Sequence, residues 1–197
     1  LKTDSNYAAL TQKLGKNNNS NDWNRSGLNV CVHAFIGKLA DGTIGTVQTL
    51  PWNHRGWHSG SGKKGSANDT HISFEICEDG LTDAAYFNKA YREAVELTAM
   101  LCKEYKLDPM ADGVIICHSE GYKRGIASNR ADVMHWFPKH GKSMDTFRAD
   151  VKAAMEEFKP YLVKIATDEL NVRAVGKAVV YAQAGRSGAS VDKYLSH

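Results

Sequence analysis

His118 closes a short apolar run, Val114-Ile115-Ile116-Cys117, and Asp132 follows it on a polar loop. An imidazole and a carboxylate brought to one sheet edge are both donors that zinc accepts, and a catalytic zinc needs three protein donors and an open position for water. The same two residues also read as a hydrogen-bonded strand-end histidine and a turn-capping aspartate, since imidazoles serve equally as general bases and structural donors. Glu75 stands in the middle of Ile72-Ser73-Phe74-Glu75-Ile76-Cys77. Strand alternation puts Phe74 and Ile76 on one face and Glu75 on the other. There it either meets solvent or an arginine, or projects beside a metal and takes a proton from bound water with a raised pKa.

Trp52-Asn53-His54-Arg55-Gly56-Trp57-His58-Ser59-Gly60 is a third concentration of chemistry. Paired tryptophans in a glycine-rich loop either cover a sugar or peptide or anchor the loop onto the core, and His58 is a ligand, a substrate donor or a loop residue. His33 lies within the run Val30 to Ile36, where a satisfied core histidine competes with a ligand. Arg130, two residues before Asp132, could aim positive charge at an oxyanion. The four cysteines Cys31, Cys77, Cys102 and Cys117 sit in apolar contexts without a C-x-x-C pair and read as small buried hydrophobes. A nucleophilic pair of Cys117 with His118 is disfavoured, because neighbours on a strand point to opposite faces.

Positioning these residues takes strands and helices in alternation. Leu28 to Ile36 and Thr43 to Leu50, around Asp41-Gly42, make a hairpin or meander. His71 to Cys77 is a buried strand and Val114 to His118 a central one. Phe87, Tyr91, Ala94, Leu97 and Leu101 recur at three-and-four spacing, which predicts the longest helix over 83–105, with Thr82 or Asp83 as N-cap and Asp108-Pro109 beyond its end. Further helices are expected over 4–14 and 143–158, the latter capped by Ser143. Helices between strands indicate an α/β domain, a central mixed β-sheet flanked by helices. From about Pro160 the texture changes, so 1–158 is taken as the main domain and 159–197 as a C-terminal tail, either a fragment of a further module or a displaced strand of the main domain.

The 197 residues carry a net charge of +3, with 42% hydrophobic and 24% charged residues, which excludes a disordered chain. No apolar run approaches the ~20 residues needed to cross a bilayer, so no membrane insertion is expected. The scattered basic residues and small net charge give no footprint for nucleic acid. Leu1-Lys2-Thr3-Asp4 has neither a basic n-region nor an apolar h-region, so no signal peptide is read there. The eight histidines point towards a metal.

In order along the chain, Val32-His33-Ala34-Phe35-Ile36 and Asp41-Gly42-Thr43 are followed by Gly56-Trp57-His58-Ser59-Gly60. Asn68-Asp69-Thr70-His71-Ile72-Ser73-Phe74-Glu75-Ile76, Cys117-His118 and Arg130-Ala131-Asp132 complete the series. Over about residues 28–155 this set resembles the zinc-dependent N-acetylmuramoyl-L-alanine amidases of the phage-lysin and peptidoglycan-recognition superfamily, the amidase-2 type. The resemblance implies a peptidoglycan hydrolase acting at the cell wall, extracellular or phage-released as endolysins are, that cuts the amide between N-acetylmuramic acid and L-alanine with zinc as cofactor. It implies His118 and Asp132 as the second and third zinc ligands and Glu75 as the carboxylate that activates water. Arg130 would stabilise the oxyanion, and His33, Trp57 and His58 would line the substrate cleft.

One departure from the pattern stands out. The family's first zinc ligand is a histidine at the end of an opening strand, and this chain has no histidine before His33. Ala178 to Gly185 resembles that opening strand with Tyr181 in the ligand place. His197, His33, or no residue at all are the other readings. Leu170-Asn171-Val172-Arg173 resembles the start of a bacterial Src-homology-3-like wall-binding module. The rival expectation is a module that binds muropeptides without cleaving them.

Overall fold

The computed structural model describes residues 29–78 and 81–156. The helix expected over 4–14 and the tail 159–197, with Tyr181 and His197, lie outside the described residues.

A three-stranded mixed sheet in the order β2-β1-β3 carries the fold. Strand β1 (Ala34–Lys38) pairs antiparallel with β2 (Ile44–Gln48) and parallel with β3 (Phe74–Ile76). The β1–β2 turn is closed at Asp41-Gly42. Gly42 takes φ 84°, and the Asp41 carboxylate accepts from Thr43 N–H at 3.0 Å. Strand β3 is shorter than the run from His71 to Cys77 predicts, but hydrogen bonds from His33 N–H to Ser73 and from Cys77 N–H to Ile36 prolong its pairing at both ends.

Helix α1 (Ala84–Glu104) fits the expected 83–105, and its N-cap Asp83 accepts from Tyr86 N–H at 3.0 Å. Ala90 and Ala94 are wholly buried, as are Ala34 and Ile36 of β1, and the alanines let this helix lie close to the sheet. Helix α3 (Met144–Glu156) packs along α1. The Tyr91 hydroxyl donates to Asp150 at 2.7 Å across that contact, and the same carboxylate accepts from Lys142 Nζ at 2.8 Å. Ser143 caps α3 by accepting from Thr146 N–H at 3.1 Å, as the sequence predicts.

The aromatic centre of the core is Phe87. Trp136 and Phe137 stand edge-on to it, with ring centroids 5.0 and 5.8 Å away, and His140 stacks on it at 4.0 Å. Phe137 and His140 belong to the 3-10 turn Phe137–His140, and Trp136 is its N-cap. Rings set edge-to-face gain about 0.5–1.5 kcal/mol beyond area burial.

One element differs from its prediction. Val114 to His118 is not a central strand but a half-buried, irregular segment that leads into a short helix, α2 (His118–Arg124). Gly113, at φ 80°, turns the chain just before it. The Ile115 carbonyl accepts from Arg148 Nε at 3.0 Å, where a strand would have used a neighbouring backbone. Glu120 accepts from Cys117 N–H at 3.2 Å, which favours starting a helix there. A second difference concerns the cysteines. All four are free, but Cys31 is exposed and Cys77 half-buried, so only Cys102 and Cys117 are the buried hydrophobes expected. Among the described residues no helix is long and apolar enough to cross a membrane.

Removing the Phe87 ring leaves a cavity among Tyr91, Trp136, Phe137 and His140. Phe87→Ala is expected to lower unfolding free energy by about 3–5 kcal/mol in urea titration. A loss below about 1 kcal/mol would show that this cluster is not the packing centre.

Candidate active site

Glu75 projects from the middle of β3, on the face away from the core that Phe74 and Ile76 pack against. Its Oε1 lies 3.0 Å from His58 Nε2. His58 reaches it from the 56–60 loop, which is held from beneath by a buried amide. Asn68 Oδ1 accepts from His58 N–H at 2.8 Å and Ser59 N–H at 2.9 Å, and Asn68 Nδ2 donates to the Gly60 carbonyl at 3.1 Å. Asn68 itself sits in the 3-10 turn Ala67–Asp69.

His118 opens α2, and its ring centroid is 6.0 Å from that of His58. The Ser128 hydroxyl and His118 Nε2 are 3.1 Å apart. Asp132 is tied to the same helix end, its carbonyl accepting from Ser119 N–H at 3.1 Å. His135 Nδ1 is 3.6 Å from the Asp132 carboxylate, and His135 Nε2 pairs with Glu78. Glu75, His58, His118 and Asp132 thus gather from β3, the 56–60 loop, the start of α2 and the loop that follows α2.

Their electrostatics are coupled. Burial pushes the Glu75 carboxyl up to about 7, and the negative charges of Asp132 and Glu78 push the same way. Half of the Glu75 side chain remains accessible, so solvent screens part of this effect. Burial, then the neighbouring His118, lowers His58 to about 4. Near neutrality His58 is therefore neutral and the Glu75 carboxyl about half ionised, so the two do not form a full ion pair. Such a carboxyl takes or releases a proton near neutrality, as a general base requires.

The other residues expected at the site fall differently. Trp57 is 46% exposed at the rim, with the Arg55 guanidinium 4.8 Å from its ring centroid, and its backbone pairs with Cys31. Arg55 is held in turn by Asp69 at 2.6 Å. Arg130 is exposed on the loop before Asp132. His33, expected to line the cleft, is buried at 1% exposure. Its Nδ1 accepts from Ser73 N–H at 3.0 Å and its Nε2 donates to the His54 carbonyl at 2.7 Å. With both nitrogens engaged, His33 supports the wall of the site and offers no donor to a metal or substrate. Gly56 packs closely beside it, since a Cβ there would sit 3.2 Å from the His33 ring and 3.1 Å from Ser73 Oγ.

Residue types and spacing did not single out Ser128, Asn68 and His135. Asn68 lies in the Asn68-Asp69-Thr70 stretch and His135 follows Asp132 by three residues, so both were near a signal. Ser128 carried none.

Residues 2–135 match the model of the N-acetylmuramoyl-L-alanine amidase family, a span that contains every residue of this cluster. The chain belongs to that family. The hydrolase AmiA of Staphylococcus aureus, whose crystal structure was solved in complex with its ligand, shares the fold of this amidase-family chain with a TM-score of 0.54 at 21% identity. The alignment covers 64% of this chain and 59% of AmiA, so the chain spans less than two thirds of that relative. No curated protein matches it.

For a catalytic zinc the fit is incomplete. His118 Nε2 and the Asp132 carboxylate are the right kinds of donor, but among the described residues no group of three or more His, Cys, Asp or Glu side chains converges on one point. His135 Nδ1, buried and without a hydrogen-bond partner, faces Asp132 and is the nearest further nitrogen at that carboxylate.

The folded state raises the Glu75 pKa above its unfolded value of 4.5, so folding favours the protonated form. That contribution is fully present below about pH 4.5 and is lost as pH rises through about 7. In metal-free buffer near pH 8, Glu75→Gln is therefore expected to stabilise the fold by about 1 kcal/mol, discounted for the accessible half of the side chain, and by little near pH 5. Thermal melts at the two pH values check it. Equal effects at both would mean that the carboxyl is not perturbed.

Proposed function

We propose that this chain hydrolyses the amide joining the lactyl group of N-acetylmuramic acid to L-alanine in bacterial peptidoglycan. The observation that carries this reading is the Glu75 carboxyl, poised to about 7 and 3.0 Å from His58 Nε2, in a cluster with His118 and Asp132. Membership of the amidase family supports the same bond type. In the proposed reaction Glu75 takes a proton from the attacking water and passes it to the leaving amine, which needs one group to act first as base and then as acid. His58, neutral at working pH, holds the carboxyl in place through Nε2. Arg130 supplies positive charge near the developing oxyanion. Trp57 offers an amphipathic face at the rim, suited to a sugar ring.

Zinc belongs to the proposal as cofactor, with His118 and Asp132 as two of its ligands. When bound it would polarise the scissile carbonyl and lower the pKa of its water. The incomplete donor set among the described residues favours a second reading, a module that binds muropeptides without cleaving them.

Three measurements on the full chain separate the two. Cell walls should release free L-alanine amino groups, Glu75→Gln should reduce that release at least about a hundredfold, and activity should rise with pH through about 7 as the carboxylate forms. Saturable muropeptide binding without amine release would establish the binding module instead. Metal analysis should find zinc, lost in His118→Ala, and full activity in excess chelator would sink the zinc assignment while leaving the hydrolase one intact.

A further inference from the structure

A cavity of about 380 Å³ opens beside the cluster, between the 61–64 loop and the C-terminal end of α2. Four of its ten lining residues are cationic, Lys63, Lys64, Lys123 and Arg124, and none is acidic. Asp112 already holds Arg124 through both terminal nitrogens. The three lysines are exposed and make no ion pair among the described residues.

Their convergence is built into the backbone. Two loops some sixty residues apart are zipped together by Lys64 N–H to Gly125 at 2.8 Å, Ala67 N–H to Ile126 at 2.7 Å and Ser128 N–H to Ser59 at 2.9 Å. A Cβ on Gly62 would come within 2.3 Å of the Gly125 carbonyl oxygen, so only glycine allows this approach. The Lys64 stem packs over Gly125, with its Cγ 3.3 Å from where a Cβ would stand.

The cavity adjoins the candidate active site through Ser128. Ser128 lines it and also meets His118 Nε2 at 3.1 Å. Tyr122, 48% exposed, lines it too and lies four residues from His118 on the same helix face. A ligand whose reacting bond sits at Glu75 and His118 therefore has an aromatic rim at Trp57 and a cationic cleft past Ser128. The first suits a sugar ring and the second suits carboxylates.

We propose that this cleft binds the carboxylates of the peptidoglycan stem peptide and makes the protein prefer acidic over amidated peptides. The inference rests on the amidase reading for which end of the substrate lies there. Its test is independent of turnover. Calorimetric titration of the full chain carrying Glu75→Gln uses a soluble muramyl tripeptide with free carboxylates and the same compound with them amidated. The acidic form should bind about tenfold more tightly, and about 0.5 M salt should remove most of the difference. Adding Lys64→Gln and Lys123→Gln should bring the two affinities together.

Equal affinities before those substitutions, or a preference that survives them, would overturn the proposal. So would displacement of the peptide by poly(glycerol phosphate) at lower concentration than by free acidic peptide, which would assign the cleft to a phosphodiester. Amine release without an acid preference sinks this inference alone. An acid preference without amine release leaves it standing and sinks the hydrolase reading.

Discussion

The parallel pairing of β1 with β3 is the constraint on which the site depends. Its register sets Phe74 opposite Ala34, Glu75 opposite Phe35 and Ile76 opposite Ile36. Ala34 and Ile36 are fully buried under α1, so Phe74 and Ile76 must face inward with them. Glu75 is then driven to the other face, and a slip of one residue would bury the carboxylate in the core. Gly37 protects the same pairing, because a Cβ there would come within 2.8 Å of Cys77 Cβ at the end of β3. The Tyr86 hydroxyl binds the Cys77 carbonyl, tying that strand end to α1.

On the far face, rigidity comes from polar groups that are fully used. His33 holds Ser73 and the His54 carbonyl, Asn68 holds His58 and Ser59, and Ser128 joins Ser59 to His118. Each is a buried or half-buried side chain whose hydrogen bonds cross between segments distant in sequence. A half-satisfied network of this kind would be costly, whereas a satisfied one fixes loop positions that apolar packing alone leaves loose. His58 and Asp132 can thus sit on loops and still keep their places beside Glu75 and His118.

What was legible in the sequence follows the range of the interaction behind each feature. Helix α1 depends on local periodicity and the Asp83 cap, and both are written within its own residues. The outward Glu75 follows from strict alternation over Phe74-Glu75-Ile76. The run from Val114 to His118 was ambiguous in kind, because a short apolar stretch reads the same as strand or as buried irregular chain. Arg148, thirty-three residues away, decides it by taking the Ile115 carbonyl. Between the two readings of His33 local sequence has no means of choosing, since the groups that occupy its nitrogens lie 40 and 21 residues off. Ser128 has no local mark at all, and its position emerges only when two loops close on each other.

The same carboxylate that would help bind a cation also governs the proton on Glu75. Asp132 raises the Glu75 pKa by repulsion and opposes the fall of His58. Any positive charge that settles against Asp132, from a substrate group or a bound ion, cancels that repulsion and lowers the pKa of Glu75. His118 acts on His58 in the opposite sense, and a cation shared between His118 and Asp132 would hold His58 neutral still more firmly. Occupation of that corner would therefore favour the ionised form of Glu75 while leaving His58 Nε2 beside it. The proton affinity of the pair is set by what stands at Asp132 as well as by burial.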